Sequence, residues 1–300
     1  MAHDIVAITL CEPDGGPVPA WEPGAHVDVQ LGDMTRQYSL CGDPTQRQSL
    51  TIAVLREPAS RGGSAFVHDK LAVDDLVDVS QPRNHFPLVT APSYLFVAGG
   101  IGITPLLPMI GKLAAQRRPW RLLYGGRSRS SMAFADILED DHRGNVELRP
   151  QDEYGLLDLA AAVRDAEAGA AVYCCGPEPL LTAMESVCAK REDVDLHVER
   201  FAPKPAADRK VAAAFEVVLG RSGDSVMVTA TESLLDALLR HGVEVDFSCR
   251  EGTCGTCEVT VIDGVPDHRD SVLTTDEKAA NDVMMACVSR SCGKRLILDL

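Results

Sequence analysis

SCREGTCGTC, residues 248–257, together with the distant Cys287, decides how this chain reads. Cys249, Cys254 and Cys257 form a C-x4-C-x2-C run and Cys287 is their fourth partner. That is the plant-type spacing in which four thiolates hold a [2Fe-2S] cluster. Gly252 and Gly255 allow a tight loop whose backbone N–H groups turn toward the sulfurs, and Ser248 and Thr253 add donors. A structural zinc site is the competing reading, but zinc draws two close pairs, such as C-x2-C with a second C-x2-C or H-x3-H, and here one close pair exists. Thiols that merely pack are the other alternative. The remaining cysteines, Cys11, Cys41, Cys174, Cys175, Cys188 and Cys292, show no framework spacing and suit small core positions in a reducing compartment.

Three hundred residues, 45% of them hydrophobic, are enough for two or three small domains. No apolar run nears the roughly 20 residues of a membrane span, and the opening MAHDIVAITL lacks the basic region and cleavage site of a signal peptide. A soluble cytoplasmic protein with no membrane partner is expected. The formal net charge of -15 argues against nucleic acid, whose phosphates need clustered Lys and Arg. Residues 215–300 hold 8 Lys and Arg against 15 Asp and Glu, a net -7. An acidic face around a redox centre steers a basic partner into fast, weak encounter; the alternative is a charged surface that serves solubility alone.

Outward from the cysteines the chain reads as three modules joined by one linker. Residues 1–91 carry AHVDVQL, RQYSL, LTIAVL and LVDVS, short alternating strands punctuated by EPDGGP, GDPTQ and SRGG, which predict an antiparallel β-barrel. Residues 92–202 carry the apolar runs YLFVA, RLLYGG and AVYCC between the helical LLPMIGKLAAQ and PLLTAMESVCAK, the pattern of an α/β nucleotide-binding domain. Residues 203–214, rich in Pro, Ala and Lys, predict a linker. Residues 215–300 open with the strands FEVVL and SVMVTA and a helix across SLLDALLRHG, capped by Ser233 and Asp236 and stopped by Gly242, the order of a β-grasp ferredoxin domain.

Several motifs suit cofactors. In Arg36-Gln37-Tyr38-Ser39-Leu40 an arginine fork suits a phosphate, a tyrosine ring suits an isoalloxazine and a serine hydroxyl reaches a flavin ring atom; an ordinary half-buried strand is the plainer alternative. Arg61-Gly62-Gly63-Ser64 then opens a helix and offers backbone amides to a phosphate. Gly99-Gly100-Ile101-Gly102-Ile103-Thr104-Pro105 follows a strand, with glycines that permit close approach of a pyrophosphate and with Thr104 and Pro105 expected as helix cap and first helical residue. A simple tight turn explains the same glycines. Tyr173-Cys174-Cys175-Gly176-Pro177 ends another buried strand, where Cys175 is expected to face the crevice and Cys174 the packing. Arg127, Ser128 and Arg129 suit an adenosine ribose or its 2′-phosphate, or are plain surface charge.

Together PGAH at 23–26, RQYSL, RGGS, GGIGITP, CGP, ERF at 199–201 and SCREGTCGTCEVTVIDGVPDHRD resemble the phthalate dioxygenase reductase family over nearly the whole chain. The resemblance implies FMN held by Arg36, Tyr38, Ser39, Leu40, Gly63 and Ser64, with Ala53 and Leu55 lending backbone. It implies NADH at Gly100, Gly102, Thr104, Pro105, Arg127, Ser128, Cys175, Gly176 and Pro177. Ser39, Cys175 and Phe201 would stand at the reacting centre, with the Phe201 ring displaced by the nicotinamide. Cys249, Cys254, Cys257 and Cys287 would hold the cluster. The implied activity passes NADH electrons through FMN and cluster to the terminal oxygenase component of a Rieske system, by a chain expected to be monomeric. A haem-thiolate monooxygenase partner, or a redox-sensing role without turnover, are the alternatives. The family's barrel usually opens with a strand before the segment matching Ala2 to Leu10, so the first strand is expected to be missing or to lie upstream.

Overall fold

The computed structural model describes residues 2–58, 61–141, 145–203 and 213–300. Two compact units divide it, Met1–Glu199 and Arg200–Leu300. Of the expected linker, 204–212 lie outside the described residues.

The first unit begins with β1 (Ile5–Leu10), β2 (His26–Leu31), β3 (Met34–Ser39), β4 (Leu50–Leu55) and α1 (Gly63–Asp69). β2 and β3 form a hairpin in which Leu31 faces Met34, leaving Gly32 and Asp33 as a two-residue turn with Gly32 at φ +62°. β1 pairs antiparallel with β4, and no other described strand pairs with β1. Bridges at Leu40–Ile52, Val29–Val79 and His26–Arg83 join the pairs into the barrel. Val27, Val29 and Leu31 fill its interior. LVDVS, expected as a strand, runs beside β2 without forming a ladder: Gln30 N donates to Asp78 O and Ser80 N to Asp28 O, but the pairing breaks where Ser80 turns its hydroxyl onto Asp28 N and Pro82 has no N–H to give.

The α/β part follows with β5 (Tyr94–Gly99), α2 (Leu106–Ala115), β6 (Trp120–Gly126), α3 (Ala135–Asp141), β7 (Val146–Pro150), α4 (Gln151–Tyr154), α5 (Leu159–Arg164), β8 (Ala171–Cys175), α6 (Glu178–Cys188) and β9 (Asp195–Glu199). The sheet is parallel in the order β7-β6-β5-β8-β9, so the chain reverses direction of growth between β5 and β8. Successive β5 side chains go to opposite faces. Phe96 and Ala98 pack with α2, while Leu95 and Val97 pack with Leu159 of α5 and Leu181 and Met184 of α6. Ile5, Ala53 and Phe86 of the barrel share the α2-side core. Tyr173 fixes that junction: its hydroxyl donates to Pro87 O and accepts from Val89 N, both at 2.8 Å.

The second unit contains β10 (Phe215–Leu219), β11 (Ser225–Val228), α7 (Leu234–Arg240), β12 (Glu258–Asp263), β13 (Pro266–Asp267), α8 (Thr275–Ala280), β14 (Val283–Met285), β15 (Arg290–Ser291) and β16 (Arg295–Leu298). Its main sheet runs β11-β10-β16-β12-β14, with β10 and β16 parallel. Ser233 caps α7 by accepting from Asp236 N at 3.0 Å, as its spacing predicts, and Leu234, Leu235 and Leu238 bury the helix against the sheet. This is the β-grasp arrangement. Among the described residues no helix is long and apolar enough to cross a membrane.

Candidate functional site

The carboxyl ends of β5 and β8 flank the reversal point of the sheet, where open α/β folds bind ligands. Their turns meet backbone to backbone. A Cβ on Gly102 would stand 2.3 Å from the Cys175 carbonyl oxygen, so only glycine fits there. Gly100 has φ +57° with nothing within 4 Å of a built Cβ, so this turn is open at that point. Gly176 and Pro177 lie against Gly99 from the other turn. Thr104 does not cap α2. Its hydroxyl donates to Ile101 O at 2.9 Å and closes a short 3-10 turn, Gly100–Ile103, that runs on into the helix with Pro105 at the cap position. Because the turn is already helical at Thr104 (φ -57°), the helix needs no side-chain cap there.

Ser39 at the end of β3 reaches this edge. Its hydroxyl donates to Glu199 Oε2 at 3.4 Å, and the Cys175 thiol approaches the same oxygen at 3.9 Å. Burial pushes the Glu199 carboxyl up to about 8, with Ser39 and Cys175 pulling it back. Burial and the neighbouring Glu199 hold the Cys175 thiol well above its ordinary range, so it is undissociated at neutral pH. Cys174 faces the apolar core, as its place in the strand predicts. Glu199 was not among the residues singled out for chemistry; it ends β9, whose charged, half-buried DLHVE gives little strand signal.

Beside Ser39, β3 carries the phosphate-type residues. Arg36 lies across the turn into α1: Nη2 donates to Arg61 O at 2.9 Å, and Nη1 to Thr35 O at 2.8 Å. A Cβ on Gly63 would sit 2.6 Å from Arg36 Cγ, so the missing side chain is what lets the guanidinium lie over the turn. The Ser64 hydroxyl accepts from Glu57 N at 3.0 Å and ties the turn to the end of β4. Burial pushes the Tyr38 phenol up to about 12, with Arg36 pulling it down, so the half-buried ring is neutral. Leu40 is fully buried and its N–H donates to Ala25 O. On β4, Thr51 O accepts from Cys41 N, away from β1. Ala53 and Leu55 share that parity and turn their backbone groups the same way. A cradle of arginine, bare glycine turn and aromatic ring suits a phosphorylated flavin.

At the end of β6 Arg127 is exposed, and its carbonyl accepts from Asp152 N. Ser128 starts a short turn in which its hydroxyl lies 3.0 Å from that of Ser130. Phe201 belongs to the second unit and is 45% exposed.

In the second unit the four sequence-predicted thiols come together. Cys249 is held below the ordinary thiol range by hydrogen bonds from the Cys254 and Cys287 thiols, and Cys257 likewise by Cys287. Among the described residues no three His, Cys, Asp or Glu side chains gather round a single-ion position. The thiols instead influence one another in a chain, Cys254 with Cys249, Cys249 with Cys287 and Cys287 with Cys257. Glu251 N and Thr253 N donate to Cys249 Sγ at 3.3 and 3.5 Å, and the Thr256 hydroxyl lies 3.2 Å from Cys254 Sγ. Gly252 and Gly255, at φ +71° and +74°, make the loop that turns those amides inward. Four thiols gathered in one loop region, with two N–H donors already on Cys249 and a hydroxyl beside Cys254, fit an anionic iron–sulfur cluster.

Residues 217–292 match the family of the 2Fe-2S iron-sulfur cluster binding domain. Over its full length the chain is 44% identical to the phenoxybenzoate dioxygenase subunit beta of Ectopseudomonas oleovorans and covers 94% of it. The crystal structure of phthalate dioxygenase reductase, a modular protein for electron transfer from pyridine nucleotides to [2Fe-2S], is 37% identical, with a TM-score of 0.70, over 100% of this chain and 94% of that one. The chain belongs to the phthalate dioxygenase reductase family. This family member is thus an oxidoreductase with a flavin-binding barrel, an α/β nucleotide-binding domain and a C-terminal [2Fe-2S] ferredoxin domain. The reductase is also 46% identical, with a TM-score of 0.93, to part of an intact type IV self-sufficient cytochrome P450 monooxygenase, of which it spans 39%.

Proposed function

We propose that this chain is the electron-transfer reductase of a Rieske-type aromatic oxygenase or O-demethylase, acting as a monomer with modules at 1–91, 92–202 and 215–300 and a linker at 203–214. The observation that carries the reading is the meeting of Ser39, Cys175 and Glu199 beside the glycine turn, in a chain that also gathers four thiols. Arg36 with the Gly63–Ser64 turn would hold the FMN phosphate, Tyr38 and Leu40 the ring system, and Ala53 and Leu55 its polar edge. Gly100, Gly102, Thr104, Pro105, Gly176 and Pro177 would hold the dinucleotide, with Arg127 and Ser128 at the adenosine end. When bound, FMN accepts hydride from NADH and releases electrons singly to the cluster.

The chain's own part is positional and electrostatic. Burial raises Glu199, Cys175 and Tyr38, so each of these three acids favours its neutral form at this edge and leaves it poorer in negative charge. Ser39 can donate to a flavin nitrogen by turning from Glu199, since its 3.4 Å bond there is long.

A second reading, a reductase for a haem-thiolate monooxygenase, is favoured by the identity to the P450 fusion protein. Reduction of each purified acceptor by NADH and this chain separates the two. Product formation with a Rieske oxygenase supports the first reading, and electron delivery to a haem-thiolate protein alone overturns it. Failure to reduce any added one-electron acceptor would favour the redox-sensing role instead.

A further inference from the structure

Arg129 stands where an arginine would be expected to take a 2′-phosphate, yet it is already engaged. Its Nη2 donates to Asp136 Oδ1 at 2.7 Å and to Glu139 Oε2 at 3.0 Å. Both acids lie on α3, three residues apart and hence on one face of the helix. The chain goes out of its way to bring them there. Phe134, just before α3, has φ +59°, a left-handed conformation that a bulky residue rarely adopts, while its ring packs against the core shared by α2 and the sheet. From the turn at Phe134 the chain enters α3, whose Asp136 and Glu139 meet Arg129 of the β6 loop. The loop is anchored as well: His3 N donates to Ser130 O at 2.8 Å, and Ser128 and Ser131 cap each other across the turn.

β6 is the strand next to β5 on the side away from β8. A dinucleotide whose pyrophosphate lies on the β5 turn therefore places its adenosine ribose near the end of β6. There Ser128 and Ser130 offer neutral hydroxyls, and Asp136 and Glu139 offer acceptors. A ribose 2′-hydroxyl can donate to such a carboxylate. A 2′-phosphate dianion meets two like charges and a guanidinium whose charge is already matched.

We infer that Asp136 and Glu139 are the specificity-determining residues for the coenzyme: by holding Arg129 they exclude NADPH and select NADH. The inference rests on the proposed nucleotide site. Exposed ion pairs of this kind add little to stability, so their removal should leave the fold intact.

Isothermal titration of the flavin- and cluster-loaded protein with NAD+ and with NADP+ tests it without turnover. The wild type should bind NAD+ at least about tenfold more tightly, the scale of one charge-assisted hydrogen bond gained or lost. D136N/E139Q should bind NADP+ about tenfold more tightly than the wild type does, with NAD+ affinity changed by less than about threefold. Adding R129A to that variant should erase the gain. An NADP+ gain below about twofold, or one that survives the loss of Arg129, overturns the inference, as does a wild type that binds NADP+ as tightly as NAD+. If neither dinucleotide binds the wild type, the nucleotide site itself is wrong and the inference falls with it.

Discussion

The Glu199 carboxyl makes the stability of this protein depend on pH. Its folded value is raised from 4.5 to about 8, so between those limits the native protein keeps a proton that the unfolded chain has released. By linkage, stability falls as pH rises through that window and levels off above it. Melting temperatures at intervals from pH 5 to 8 should show that decline in the wild type and a flatter profile in Glu199→Gln; an unchanged slope would mean that other groups set it. Two further residues give spectroscopic tests. Arg36→Ala removes the fork over the Gly63 turn and should weaken FMN retention by tenfold or more, on the order of one bidentate contact, as read by flavin fluorescence after gel filtration. Cys287→Ser should abolish or distort the cluster absorption while Cys292→Ser leaves it unchanged, because Cys287 joins the chain of thiols and the Cys292 thiol instead approaches Pro266 O. Arg36 and Cys287 were singled out from sequence, since the motif around each constrains both spacing and residue type. Glu199 was not, because a carboxylate at the end of a polar edge strand acquires its character only from what folds over it.

At the scale of elements, the strands of the parallel sheet that could be read were those with two buried faces. YLFVA, RLLYGG and AVYCC became β5, β6 and β8 in the middle of the sheet, while VELRP and DLHVE, at its edges and only partly buried, escaped the same reading. LVDVS failed in the opposite sense: it alternates as a strand should, but its own Ser80 and the nearby Pro82 divert the hydrogen bonds that would make a ladder. The cap expected at Thr104 was misread because a 3-10 turn is invisible in residue types alone. The contact between the β5 and β8 turns yields its own prediction. Gly102→Ala forces a methyl group to 2.3 Å from the Cys175 carbonyl oxygen, and separating the turns should destabilise the protein by about 1–3 kcal/mol, with a matching loss of dinucleotide affinity. Thermal denaturation and titration together check it; a variant that melts like the wild type would show that the turns have room to part.

For the molecule as a whole, the charge of the ferredoxin domain, net -7, bears on how a partner is found. Delivery of electrons to a basic acceptor should slow as salt rises, because the Debye length is only about 10 Å at 0.1 M. Flavin-to-cluster transfer within one chain should respond less. Stopped-flow traces of both steps across ionic strengths decide the matter, and an intermolecular rate indifferent to salt would leave the acidic surface a matter of solubility. The order of strands in the second sheet carries a different consequence. β16, which follows the cysteine loop in the chain, lies at the centre between β10 and β12. The cysteine loop therefore emerges from the ribosome well before the sheet that supports it can close. Iron meeting that loop before β16 is in place finds ligands without a scaffold, so productive loading belongs to the folded domain.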